Sequence, residues 1–210
     1  TFGGVELMVR HFGAERVVRQ TLRAGTTTER PTIDVGEGIA LSCDDLDPFF
    51  AERHRLLAAS LRETLARALG PGAPGRDDVA AVARRMGAEL GLYAFVVPEA
   101  LGGAAMGQAS DRAYIDVRGL CLVREALGQV HATADSIFAV QGLGSYPITL
   151  AGSEALQRAF LPDVVRGDRI GAFALTEPEA GSDVASMRTT ATRDGDGWKL
   201  DGEKVYISNV

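Results

Sequence analysis

The apolar positions of this chain change their period once, and the change divides it. From Ser42 to about Arg166 they recur every three or four residues, which gathers them on one face of an α-helix. Phe50, Leu57, Leu61, Leu65 and Leu69 follow that rule or multiples of it, with Glu52, Arg53, Arg62 and Glu63 on other faces. Asp47-Pro48 supplies an N-cap and a proline whose missing N–H costs nothing in the first helical turn. Gly70-Pro71-Gly72 stops the helix. Asp77 is placed to cap a second helix that carries Val79, Val82, Ala83, Met86 and Leu90 and ends at Gly91. Leu92 to Pro98 is a short apolar segment that runs into the glycine turn Leu101-Gly102-Gly103. A third helix, from Ser110 through Ile115, Leu122 and Ala126, is apolar on more than one side, as a helix in the middle of a bundle should be. Ala132 to Leu150 predicts a fourth, interrupted at Gly142, Gly144 and Pro147, and Ser153-Glu154 opens a short fifth that ends at Leu161-Pro162.

At Ile170 the period turns strand-like. Strands are predicted at Ile170 to Leu175, Met187 to Arg193, Trp198 to Leu200 and Glu203 to Ser208, with Asp194-Gly195-Asp196-Gly197 as a strong hairpin signal. This is an antiparallel meander whose last strand has no partner within the sequence, so the sheet is expected to continue past Val210. At the other end, Leu7, Val9, Phe12, Val17, Val18 and Leu22 could line a short amphipathic helix with Arg10, Arg16, Arg19 and Arg23, followed by a loop. The expected organisation is α+β: an N-terminal extension or arm over 1–41, an all-α helical domain over 42–166, and over 167–210 the first part of a barrel-like antiparallel middle domain.

Composition narrows the function classes. With 210 residues, 46% hydrophobic and 24% charged, the chain is long enough and apolar enough to build a core. Its net charge of −6 offers none of the basic footprint that nucleic acid requires. Lys199 and Lys204 are its only lysines; arginine carries the rest of the positive charge, in pairs such as Arg84-Arg85 that suit solvated helix faces. Cys43 and Cys121 are too distant to form a disulfide framework or a metal knuckle, which points to a reduced, cytoplasmic compartment. No apolar run approaches the ~18 residues of a membrane span.

Two stretches carry candidate chemistry. The first is Thr176-Glu177-Pro178 leading into Ala180-Gly181-Ser182-Asp183, where small residues leave backbone N–H groups free and Thr176 and Ser182 add hydroxyls. It reads equally as a tight strand-exit turn with Pro178 and Gly181 chosen for backbone angle. The second is Tyr206-Ile207-Ser208. On a strand, residues two apart share a face, so Tyr206 would wall a flat ring while Ser208 bonds to its edge; a plain half-buried strand has the same pattern. Other candidates are weaker. His11, His54 and His131 lack a partner at ligand or triad spacing and fit surface or structural roles. Glu177, Glu179 and Asp183 are close enough to act as an acid–base pair, or Glu177 simply anchors its loop.

Taken together, G-A-F-A-L-T-E-P-E-A-G-S-D from Gly171, T-T-A, D-G-D-G-W-K-L-D-G and K-V-Y-I-S-N resemble the signature of the acyl-CoA dehydrogenase family. L-G-L-Y-A-F-V-V-P-E-A-L-G-G near Leu92, R-E-A-L-G at Arg124 and F-L-P-D-V-V-R-G at Phe160 match upstream, in the family's order. The resemblance implies a helical N-terminal domain, a middle β-domain and a C-terminal four-helix bundle, with FAD between the last two. Carried over, Phe173, Leu175, Thr176, Gly181 and Ser182 form one flavin strip, Ser182 also meeting the acyl-CoA. Tyr206, Ile207 and Ser208 form the second, Ser208 near N5. It implies transfer of a β-hydrogen of the acyl thioester to the flavin as hydride, with the α-proton going to a carboxylate in the C-terminal bundle; no catalytic residue is assigned within this sequence. Implied partners are acyl-CoA, an electron-transfer flavoprotein or similar acceptor, and further copies in a homodimer or homotetramer. Glu179 stands where Gly or Asn is frequent, Tyr206 where Trp is, and Asp201 where Asn is. Flavin oxidases and monooxygenases share the scaffold and stay open as alternatives, as does a non-catalytic fragment or scaffold subunit.

Overall fold

The computed structural model describes residues 10, 11, 14, 15, 49–104 and 114–209, the first four by their backbone only. Arg10–His11 (β1) pairs antiparallel with Ala14–Glu15 (β2), Arg10 opposite Glu15. At these four residues strand pairing stands where an amphipathic helix is expected; the rest of that expected helix lies outside the described residues.

The five helices are α1 (Glu52–Leu69), α2 (Val79–Ala88), α3 (Val117–Val130), α4 (Ala132–Ala151) and α5 (Glu154–Arg166). Leu61, Leu65 and Leu69 of α1 are buried as their spacing requires. They meet Leu122, Val123 and Leu127 of α3, Val82 and Met86 of α2, and Phe138 of α4 in one core, each such side chain contributing roughly 1.5–3 kcal/mol. Asp47-Pro48 and Ser110, the expected starts of the first and third helices, lie outside the described residues. The helices themselves begin later, α1 at Glu52 and α3 at Val117. The second cap is Asp78, one residue beyond the expected Asp77; its carboxylate accepts from the N–H groups of Ala80 and Ala81. α3 packs against both α1 and α4, which explains its apolar residues on more than one side.

A polar contact joins the starts of α1 and α3. His54 is fully buried; its Nδ1 accepts the Ala51 N–H at 2.9 Å, so Nε2 carries the proton and donates to Asp116 at 2.9 Å. Asp116 also caps α3 by accepting from the Arg118 N–H. Burial alone would push the Asp116 carboxyl up, but the hydrogen bonds from His54 and Arg118 outweigh it and hold the group at about 2. His54 is therefore structural, as expected, though not isolated.

Two helices are longer than the sequence predicts. α4 runs unbroken through Gly142, Gly144 and Pro147, and α5 through Pro162 to Arg166. Each internal proline costs about 3 kcal/mol. Packing outweighs it, because continuing the helices buries Ser145 near the first and Leu161 and Val164 around the second. The glycines of α4 serve close approach, not interruption. A Cβ on Gly144 would lie 2.9 Å from the backbone of Ala172, and one on Gly142 would lie 3.2 Å from Val96 Cγ1.

Past Gly167, whose φ of 77° ends α5 in the left-handed region, the expected meander is reduced to one hairpin. Thr190–Asp194 (β3) pairs with Gly197–Asp201 (β4), and the turn has positive φ only at Gly195, the pattern of a type II′ turn. Residues 170–175 and 203–208 form no strands, and a short 3₁₀ turn at Val184–Ser186 precedes the second expected strand, which starts only at Thr190. In place of a ladder, side chains bind both backbone groups of Gly171 and the Leu175 carbonyl, and the Val205 N–H binds the Thr176 carbonyl. Among the described residues the sheet is thus two-stranded, and no barrel closes.

The two α4 glycines should respond oppositely to substitution. Gly144→Ala places a methyl against rigid backbone and is expected to cost ~1–3 kcal/mol. Gly142→Ala meets only a movable valine methyl, and the ~1 kcal/mol helix-propensity gain offsets it. Denaturant midpoints of the two variants measure the contrast.

Candidate functional site

The two stretches singled out by sequence lie side by side. Lys204 Nζ donates to the Leu175 carbonyl at 2.9 Å, Val205 N–H to the Thr176 carbonyl at 2.9 Å, and Asn209 Nδ2 to the Gly171 carbonyl at 3.1 Å. The order of these contacts makes 171–176 and 204–209 antiparallel neighbours. Phe173, Leu175 and Thr176 sit on the first strip, and Tyr206, Ile207 and Ser208 on the second. Gly181 and Ser182 follow in the exposed turn after Glu177 and Ala180, which exchange backbone hydrogen bonds of 2.9 and 3.2 Å.

The site surface is open. Phe173 is 40% exposed and Tyr206 94%. The hydroxyls of Thr176, Ser182 and Ser208 make no hydrogen bond with any described residue. Tyr206 has a φ of 58°, so the strand alternation expected to put Tyr206 and Ser208 on one face is broken there. Gly181 is informative for the opposite reason. Its φ is not in the left-handed region, and a Cβ built on it meets nothing within 4 Å. Neither backbone angle nor packing inside the described chain requires glycine at this point.

Glu177 and Lys204 hold the turn in place, and sequence reasoning missed the lysine. The Glu177 carboxylate is buried and accepts from the N–H groups of Arg188 (2.7 Å) and Thr189 (3.0 Å) and from Lys204 Nζ (2.8 Å). The Arg188 hydrogen bond, then those from Lys204 and Thr189, hold its pKa at about 2. A carboxylate so fully used is a poor proton acceptor. Glu177 anchors its loop; it is not half of an acid–base pair. Asp183 is likewise engaged, accepting from Ser186 Oγ at 2.6 Å. The signal that would have found Lys204 is its rarity: it is one of two lysines in the chain.

The other candidates resolve as structural. His131 caps α4 by accepting from the Ala134 N–H, and its Nε2 lies 3.0 Å from the Arg76 carbonyl. The backbone of His11 lies in β1. Gly102 turns the chain at a φ of 95°. Cys121 is exposed and free, Cys43 falls outside the described residues, and no cluster among the described residues has the make-up of a metal site. No helix among them is long and apolar enough to cross a membrane.

On another side of α4 lies an apolar cavity of about 490 Å³, lined by residues including Val96, Leu120, Phe138, Gly142, Leu143 and Tyr146. α4 thus borders both the cavity and, through Gly144, the first strip.

Comparison with known proteins shows the family of the chain. Residues 51–168 match the family model "Acyl-CoA dehydrogenase, N-terminal domain", and residues 172–210 match its middle domain. The chain belongs to the acyl-CoA dehydrogenase family. It is 38% identical over 161 residues to a probable acyl-CoA dehydrogenase, fadE25, of Mycobacterium leprae, which covers 75% of this chain and 39% of that protein. The crystal structure of an acyl-CoA dehydrogenase complexed with FAD from Bacillus anthracis superposes with a TM-score of 0.61 at 28% identity, over 76% of this chain and 27% of that one. A glutaryl-CoA dehydrogenase of Mycobacterium smegmatis in complex with FADH2 gives 0.60 at 31% identity, over 78% and 41%. The sequence therefore spans about two fifths of the length of the curated relatives it matches.

The anchor of this turn sets a pH window. The folded pKa of Glu177, about 2, lies below its ordinary value of 4.5, so its contribution to stability is fully present above 4.5 and is lost as pH falls towards 2. Glu177→Gln should be less stable than wild type at neutral pH, and the gap should close as pH falls from 4.5 towards 2, because Glu177 of the unfolded chain takes up its proton before that of the folded protein. Urea midpoints of both proteins between pH 7 and pH 2.5 check this.

Proposed function

We propose that this chain forms the flavin-holding part of an FAD-dependent enzyme that dehydrogenates an acyl-CoA thioester across its α and β carbons. The observation that carries the reading is the juxtaposition of two strips whose hydroxyls, at Thr176, Ser182 and Ser208, are unpartnered within the described residues beside an exposed aromatic ring at Tyr206. FAD fits this donor set: the flavin ring is flat, its faces suit Phe173 and Tyr206, and its polar edge needs donors. When bound, FAD supplies the two-electron acceptor.

The roles of the chain's own residues follow. With FAD bound, Thr176 and Ser208 would hold the ring as hydroxyl donors, Thr176 towards its pyrimidine side and Ser208 towards N5, where they would stabilise the negative charge that reduction adds. Phe173, Leu175 and Ile207 border the ring and exclude water, while Tyr206 walls it. Gly181 lets the backbone come close, and Ser182 binds both cofactor and acyl-CoA. Glu177 and Lys204 keep the turn rigid so that these donors pay no reorganisation cost. The apolar cavity beside α4 suits a hydrocarbon acyl chain. The α-proton goes to a carboxylate of the family's C-terminal bundle, since Glu177 and Asp183 are already engaged.

The same reading divides the chain into an arm over 1–41, a helical domain over 42–166 and the first part of a barrel-like middle domain from 167. It gives the enzyme a homodimeric or homotetrameric assembly in the cytoplasm, with an electron-transfer flavoprotein or similar carrier reoxidising it.

Two measurements test this. The whole flavoprotein, mixed with a series of acyl-CoA esters under argon, should lose its flavin absorbance with at least one of them; absence of bound flavin and of any bleaching would sink the proposal. Rapid peroxide formation under air would point to an oxidase instead. Ser208→Ala should slow flavin reduction about tenfold to a thousandfold, as loss of one donor to developing charge does, while acyl-CoA binding changes little. Equal losses in both would remove Ser208 from the N5 edge.

A further inference from the structure

Both strips meet the helical domain around one residue, Gly171. On α4, the fully buried Gln141 accepts the Gly171 N–H with its Oε1 at 2.5 Å. Its Nε2 donates to the carbonyls of Val164 (3.2 Å) and Arg169 (2.9 Å), so the amide grips the end of α5 and the start of the first strip together. The Gly171 carbonyl is taken from the opposite side. Asn209 Nδ2 donates to it at 3.1 Å and to the Ile137 carbonyl of α4 at 3.2 Å. One residue's N–H is thus held by the helical domain, and its C=O by the residue that follows Ser208.

The geometry around this clamp is specialised. Asn209 has a φ of 67°, a left-handed conformation that asparagine tolerates better than most non-glycine residues. Gly144 admits the 171–172 backbone to the surface of α4, at a separation a side chain would forbid. Gln141 spends both amide hydrogens and its oxygen within this one join, and Ser145 Oγ donates to its carbonyl at 2.8 Å.

We infer that Asn209 is a positioning residue of the flavin site, acting with Gln141 through Gly171 to set the spacing between the strip bearing Thr176 and the hydroxyl of Ser208. The inference rests on the flavin reading above and adds a residue that does not itself touch the ring. Its physical basis is leverage. Ser208 is covalently next to Asn209, and releasing the Asn209 amide frees the end of the second strip from Gly171 while the Val205 and Lys204 contacts further along persist. Thr176 and Ser208 then lose their fixed separation. A purely structural asparagine would instead lower stability and leave the flavin's properties alone.

The test uses the FAD-loaded, full-length flavoprotein. Asn209→Gly keeps access to the left-handed conformation and removes only the two amide donors; Asn209→Ala removes the donors and strains the backbone as well. Asn209→Gly should retain FAD and melt within a few degrees of wild type. Its flavin reduction by acyl-CoA should be slower by about tenfold to a hundredfold, the loss expected for a displacement of about an ångström, with KM nearly unchanged. Its bound flavin should show an altered visible circular dichroism spectrum and a more negative reduction potential. Asn209→Ala should show the same changes together with a lower melting temperature. An Asn209→Gly protein with the wild-type reduction rate, potential and spectrum overturns the inference, and so does one that only melts earlier. A wild-type protein that takes up no FAD overturns the flavin reading and this inference with it. A wild type that loads FAD and is reduced by acyl-CoA, beside an unchanged variant, overturns this inference alone.

Discussion

The buried amide of Gln141 is the join on which the arrangement depends. Burying a carboxamide costs several kcal/mol unless its polar atoms are paired, and this one pairs both hydrogens and its oxygen. The partners belong to α5, to the linker after it and to the first site strip. The requirement to satisfy one amide therefore fixes where the helical domain ends and where the extended strips begin. Without that requirement, the 170–176 segment would be an apolar stretch with no ladder to hold it. With it, the segment is held at Gly171, and Lys204 and Val205 hold its far end at Leu175 and Thr176.

A second constraint is built from charge. Glu177, Lys204 and the Arg188-Thr189 backbone converge, so the turn after Thr176 and the stretch before Tyr206 are tied by one carboxylate. The join at Gln141 and this ion pair sit at opposite ends of the same pair of strips. Between them the hydroxyls of Thr176 and Ser208 have no hydrogen-bond partner among the described residues. Rigid ends and an open middle are what a site needs if its donors are to be in place before the reaction begins.

Much of this was legible in the sequence, and the misses have physical causes. The α1 stripe from Leu61 to Leu69 read correctly because apolar period is a local property. The two stretches singled out by motif lie side by side in the structure, and their roles at a flavin belong to the proposal above. The unbroken α4 was missed because Pro147, Gly142 and Gly144 break helices only when nothing packs on them, and here tertiary contacts decide. The strands expected at 170–175 and 203–208 failed because alternation predicts which face a residue shows, not which group satisfies its backbone; side chains far off in sequence do that. Gln141 itself was visible only as a polar residue in an otherwise apolar helical stretch. His54 was dismissed as isolated, since its partner Asp116 lies 62 residues away.

The β3–β4 hairpin lies outside this scheme of joins. Every residue of both strands is exposed, and the cross-strand stabilisation visible on it is Arg193 over the Trp198 ring, 5.4 Å from its centroid. A two-stranded ribbon with no covered face is marginal by itself. Taken by itself, such a ribbon would fray while the helical core stays shut. Its amide hydrogens would exchange through these local openings, and those of α3 and α4 only when the core itself gives way.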